Sequence, residues 1–128
     1  MSKKKRPALV FSTMDLWGNP IDLEEERWNS HIVLEHDAMK GCERLVQNTV
    51  EKPSEIRLST HLNTALAHVS EPGIGPSPLG IRVLVEYSDI HYEKGGSTGK
   101  ILTAYPIDLV RYGSPQLGKT IYRKGGKK

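Results

Sequence analysis

Four of the five histidines, His31, His36, His61 and His68, stand in a 128-residue chain with the cations Arg57 and Arg82 and the hydroxyls Ser59, Thr103 and Tyr105. Together they suit cleavage of a phosphodiester bond without a metal. RNA carries its own nucleophile in the 2′-hydroxyl, so a catalyst must supply a general base, a general acid and a cation for the charged transition state. Histidine titrates near neutrality and fills either proton-transfer role. Each residue also has a plain structural reading. Trp28, Ile32 and His36 fall at i, i+4, i+8, which makes a helical core face carrying one satisfied histidine. Composition and spacing by themselves give a soluble α+β domain.

Other chemistries fit less well. Gly95-Gly96-Ser97-Thr98-Gly99-Lys100 is short of a phosphate-binding loop, because Lys94 stands where the first glycine belongs and Ile101 where a Ser or Thr belongs. It is read as a hairpin turn. His31 and His36 are five apart, about 140° round a helix at about 100° per residue, and Glu35 does not complete a His-Glu-x-x-His zinc pattern. No metal and no other cofactor is expected. His91 and Tyr92 are read as exposed, and the single Cys42 as a small half-buried helix residue with no disulfide to form.

The net charge of +3 hides two unlike regions. Lys3, Lys4, Lys5 and Arg6 at one end, with Lys119, Arg123, Lys124, Lys127 and Lys128 at the other, hold nine of the 18 cations. The other nine oppose all 15 acids, leaving the body at −6. Such a body is not a broad basic face for duplex DNA. The tails suit solubility or contact with a phosphate backbone. Residues 56–118 balance five cations against five acids, so an anionic ligand is expected in that half. No apolar run approaches the roughly 18 residues of a membrane span, and the basic N-terminus lacks a signal-peptide core. A cytoplasmic protein is expected.

The elements that must position these residues follow from periodicity. Leu9-Val10-Phe11 and the Gly18-Asn19-Pro20 turn predict an N-terminal strand or hairpin. Asp22 and Glu25 form a capping-box pattern that starts a helix near Leu23, followed by Glu24, Glu25 and Glu26 at its positive end. Cys42, Leu45, Val46, Thr49 and Val50 predict a second helix that Pro53 ends. Alternation then takes over at Ile56 and Leu58, at Ala65, Ala67 and Val69, over Ile81–Tyr87, and over Ile101–Tyr105. The expected fold is α+β, with N-terminal helices packed on a roughly four-stranded antiparallel sheet. Ser70–Leu79, with three prolines and two glycines, is expected to be a long mobile loop. The domain is placed at 9–118, between basic tails at 1–8 and 119–128.

Five short elements occur in order: Ser12-Thr-Met-Asp-Leu-Trp-Gly-Asn-Pro-Ile-Asp-Leu23; Arg27-Trp28-x-x-His31-Ile32-x-x-x-His36; Thr49-x-x-x-Pro53; Ile56-x-x-Ser59; and Gly99-Lys-Ile-Leu-Thr103-Ala104-Tyr105. Over about residues 10 to 110 the chain resembles small prokaryotic and phage nucleases of the barnase, EndoU, colicin and RelE-like (BECR) superfamily. The resemblance implies the fold expected above and metal-independent endoribonuclease activity on tRNA or mRNA. It also implies a toxin held inactive by a cognate antitoxin or immunity protein.

Carried over position by position, the resemblance matches His31 and His36 to helix histidines, Ser59 to a polar residue after the first sheet strand, and Thr103 with Tyr105 to the end of the last strand. His31 is the first choice for proton transfer and His36 the second. Charge nominates Arg82 and Arg57 for the phosphate, with Lys100 beside them as a substrate contact. Relatives commonly carry a tyrosine- and arginine-rich strand after the Ser59 position. Here Thr64–Val69 and the proline-rich loop stand there instead, so His68 is a substitute. A non-catalytic RNA- or protein-binding module on the same fold is the alternative, and a phage-associated accessory protein a third.

Overall fold

The computed structural model describes residues 8–59, 64–73, 75–107 and 117–125. Leu9–Met14 (β1) and Pro20–Glu24 (β2) form an antiparallel hairpin. Its turn is closed by Gly18, whose N–H donates to the Asp15 carbonyl (3.1 Å) at a backbone φ of 90°. A helical run (α1) follows, with α turns at Glu25–Arg27 and Val33–Glu35 flanking a π turn at Trp28–Ile32. After a 3-10 turn at Asp37–Met39 comes the nine-residue helix Glu43–Glu51 (α2). Then come Glu55–Ser59 (β3), Ala65–Val69 (β4), Ile81–Tyr87 (β5), Gly99–Pro106 (β6) and Leu117–Arg123 (β7).

All seven strands join one mixed sheet in the order β1-β2-β6-β5-β4-β3-β7, with β2 and β6 parallel and the other pairs antiparallel. This overturns the expected helices-first layout on a four-stranded antiparallel sheet. The expected N-terminal hairpin forms as β1 and β2, but the first helix is a short run broken by a π turn. The capping pattern at Asp22 and Glu25 is not used. Ile21 and Leu23 are fully buried with Asp22 between them, a period of two, so the segment extends between β1 and β6 and the helix begins only after Glu24. At the other end, Lys119–Arg123 lies in β7 on the far side of β3, rather than in a tail.

The second helix forms where its spacing predicts. Val46, Thr49 and Val50 are buried on one side of α2, in a core with Ile56, Leu66, Ile81, Val83 and Val85. Cross-strand register sorts the side chains between two faces. Val83 is opposite His68 and Ala104, and Val85 is opposite Leu66 and Ile101, all on the core side. Arg82 opposite Val69 and Tyr105, and Leu84 opposite Ala67 and Thr103, therefore lie on the other side. A bulge in β6 makes this sorting possible. Leu102 is an extra residue between the partners of Leu84 and Val85, so Ile101 and Ala104, three apart, both enter the core while Thr103 and Tyr105 share the opposite face.

The proline-rich segment is tied down where it is described. Ser70 Oγ accepts from the Ile81 N–H (2.9 Å), Ser77 Oγ donates to the Ile107 carbonyl (2.5 Å), and the Ile107 N–H donates to Gly80 (2.9 Å). Among the described residues no helix is long and apolar enough to cross a membrane.

Candidate active site

The bulged end of β6 brings together four of the ten residues singled out from sequence. Tyr105 and Arg82 are register partners, and the Arg82 guanidinium carbon lies 5.9 Å from the Tyr105 ring centre. On the same ring packs His36, its centroid 5.5 Å away and its plane tilted by 42°. Thr103, two residues back on the same face, has a buried Oγ1 with no hydrogen-bond partner.

His36 is held from both sides. Its N–H donates to Ile32 (2.8 Å), closing α1, and its carbonyl accepts from Met39 (2.9 Å) in the next turn. Ile32 and Met39 are fully buried, so the imidazole hangs between two core anchors. The non-helical backbone of His36, with φ of −136° and ψ of 75°, ends the run there.

Arg82 is 8% exposed, and its Nε is buried without a hydrogen-bond partner. Among the described residues no carboxylate forms an ion pair with it. A guanidinium taken out of water is costly unless an anion or an aromatic face compensates. Tyr105 supplies the aromatic face, and the buried Nε is left without an acceptor.

Five further candidates lie elsewhere. His31 sits in the π turn, half-exposed, 3.6 Å from Glu35 and in a shallow surface depression with Glu24, Glu26, Arg27 and Ser30. Lys100 is at the opposite end of β6, exposed and paired with Glu24 at 3.7 Å. Arg57 spends its Nε and Nη2 on the Gly118 carbonyl (3.1 and 3.0 Å), pinning β7 to β3. Ser59 is buried on β3 opposite Leu117. Arg57 and Thr103 occupy one cross-strand row with β4 and β5 between them, about 14 Å apart at roughly 4.8 Å per strand. His61 lies outside the described residues.

His68 is fully buried on the core face and takes part in a different assembly. Its Nε2 is 3.3 Å from the Tyr87 hydroxyl, which donates to Asp15 Oδ2 at 2.6 Å. Asp15 also accepts from the N–H groups of Trp17 and Asn19 and from the Asn19 side chain. Asn19 in turn donates to the Tyr92 carbonyl and accepts from the Ser97 N–H. This network ties the β1–β2 turn to the β5–β6 connection. Burial pushes the His68 pKa down to about 4, against an opposing pull from Asp15, and its Nδ1 has no hydrogen-bond partner. Burial and the hydrogen bond to Asp15 push the Tyr87 phenol far up, so it stays protonated as a donor.

Asp15, Asn19 and Tyr87 were not singled out from sequence. The available signal was Asp15 three before Gly18, the usual ends of a type I turn. Comparison with protein-family models, curated proteins and solved structures finds no match. The local geometry therefore carries the functional argument. Among the described residues no three His, Cys, Asp or Glu side chains are grouped to hold a metal ion.

Proposed function

We propose that the protein is a metal-independent endoribonuclease that cleaves RNA by attack of the 2′-hydroxyl on the adjacent phosphate. The observation that supports this reading most is a buried arginine beside a histidine–tyrosine stack, with no carboxylate partner among the described residues. In this scheme Arg82 binds the phosphate and balances the charge that builds on its non-bridging oxygens. His36 takes the proton from the 2′-hydroxyl as its oxygen bonds to phosphorus. The bond from phosphorus to the 5′-oxygen breaks, and Tyr105 returns a proton to that oxygen. The products are a 2′,3′-cyclic phosphate and a 5′-hydroxyl. Thr103 offers a further donor from the same face.

The role of His31 as first choice passes to His36, because His31 is bordered by Glu24, Glu26 and Glu35, whereas His36 packs on the same Tyr105 ring as Arg82. The sequence resemblance to BECR nucleases supports a cytoplasmic toxin acting on tRNA or mRNA and restrained by a cognate antitoxin or immunity protein. A second reading, a non-catalytic RNA- or protein-binding module, is favoured by one observation: the 8% exposure of Arg82 leaves a narrow approach to the phosphate site. Mapping product ends after incubating the protein with total RNA in EDTA separates the two. Cyclic phosphate ends support the nuclease, and tight RNA binding without cleavage supports the module.

A further inference from the structure

The two edges of the sheet are built differently. β7, at one edge, carries exposed Lys119 and Arg123, the charges that ordinarily discourage another strand from adding there. β1, at the other, reads Leu-Val-Phe-Ser-Thr-Met with no charge and no proline. Among the described residues no strand pairs with its outer side.

A bulge at Val10 decides how this edge is presented. Leu9 is opposite Glu24 and Phe11 opposite Leu23, so Leu9 falls on the same face as Ser12 and Met14 instead of with Phe11. All three are exposed, Leu9 at 38% and Met14 at 59%. Phe11 packs toward the core. The edge therefore has an apolar residue at each end of one face and a small polar residue between them.

We propose that β1 is the joint of a symmetric homodimer, in which two copies pair Leu9–Met14 antiparallel about Ser12 and merge their sheets. This register sets Ser12 against Ser12 of the second copy and Phe11 against Thr13. Met14 then lies over the bulge at Leu9 and Val10, so the two exposed apolar side chains cover one another at both ends. Isologous pairing of this kind needs a self-complementary strand, and an uncharged one has no like charges to oppose. The basic run Lys3–Arg6 precedes β1, so antiparallel pairing sends the two runs to opposite ends of the joint. A parallel joint would instead place the two basic runs side by side.

Sedimentation velocity on the full chain over a concentration series tests the joint. The expected result is a rise toward twice the 14.3 kDa of one chain, abolished in Leu9→Lys/Met14→Lys with the circular dichroism spectrum and thermal midpoint kept. Independently, Ser12→Cys in a Cys42→Ser background should oxidise to a disulfide-linked dimer, whereas Lys119→Cys in the same background should not. A wild-type chain that stays monomeric throughout overturns the proposal. So does a dimer that survives the double lysine change, or cross-linking from Cys at 119 in preference to Cys at 12.

Discussion

His36 packs on Tyr105 with ring centroids 5.5 Å apart although three strands, β3, β4 and β5, lie between them in the sequence. The contact depends on two irregularities. The π turn at Trp28–Ile32 closes with a bond from the Val33 N–H to the Trp28 carbonyl, and the bulge at Leu102 turns Tyr105 away from the core. Both kinds of irregularity recur at functional sites.

Tyr105→Phe keeps the stack on His36 and the face offered to Arg82 while removing the hydroxyl. If the phenol protonates the leaving oxygen, kcat on RNA falls by about 10²-fold or more with binding unchanged. Comparing kcat with KM for this variant checks the assignment, and a change confined to KM would count against it.

His31→Ala should leave RNA cleavage within about threefold of wild type, since the side chain is half-exposed and its partner is Glu35. A loss of two orders of magnitude in a folded variant would return the proton-transfer role to His31.

Stability should depend on pH through His68. Its folded pKa of about 4 lies below the ordinary 6.5, so between these values the unfolded chain binds more protons than the folded one. The contribution is intact above about pH 6.5 and is lost as pH falls toward 4, amounting to roughly 3 kcal/mol at about 1.4 kcal/mol per pH unit. His68→Leu should flatten the denaturant midpoint over that window. An equally steep fall in the variant would assign the acid sensitivity to other groups.

Gly99→Ala should destabilise the fold by about 1–3 kcal/mol, the usual cost of overpacking. A Cβ there would come within 2.7 Å of both Ile21 Cδ1 and Val85 Cγ1, at the point where β2, β6 and β5 meet. Chemical denaturation of the purified variant measures this directly, and an unchanged midpoint would show that the two side chains yield freely.

The parts of the fold legible in the sequence are those with long, regular periodicity. Ile81–Tyr87 alternates buried and half-buried side chains after Arg82, and the five apolar or small positions from Cys42 to Val50 mark α2. Short or irregular segments misled. Only Ile21 and Leu23 report the period of β2, and the Asp22 and Glu25 capping pattern outweighs them locally. β7 mixes Lys119, Thr120 and Arg123 with few apolar residues, because its place at the edge requires little burial.

At the candidate site the residue types were legible and their grouping was not. Arg82 and Tyr105 could be named from charge and resemblance. Their pairing depends on strand register, which a single bulge shifts. A regular helical wheel places His31 and His36 on different faces but does not reveal which of them meets the sheet. His68 has the composition of a catalytic residue and the position of a core residue, a difference set by the β4–β5 register alone.

The most direct test incubates wild-type protein, His36→Ala and Arg82→Ala with total RNA in EDTA and maps the product ends. The account predicts discrete fragments ending in 2′,3′-cyclic phosphate from the wild type. It predicts rates lower by about 10²–10⁴-fold for the histidine variant and about 10²–10³-fold for the arginine variant, with both folded. Cleavage undiminished in either folded variant, or no cleavage by the wild type of any RNA in the pool, would contradict it.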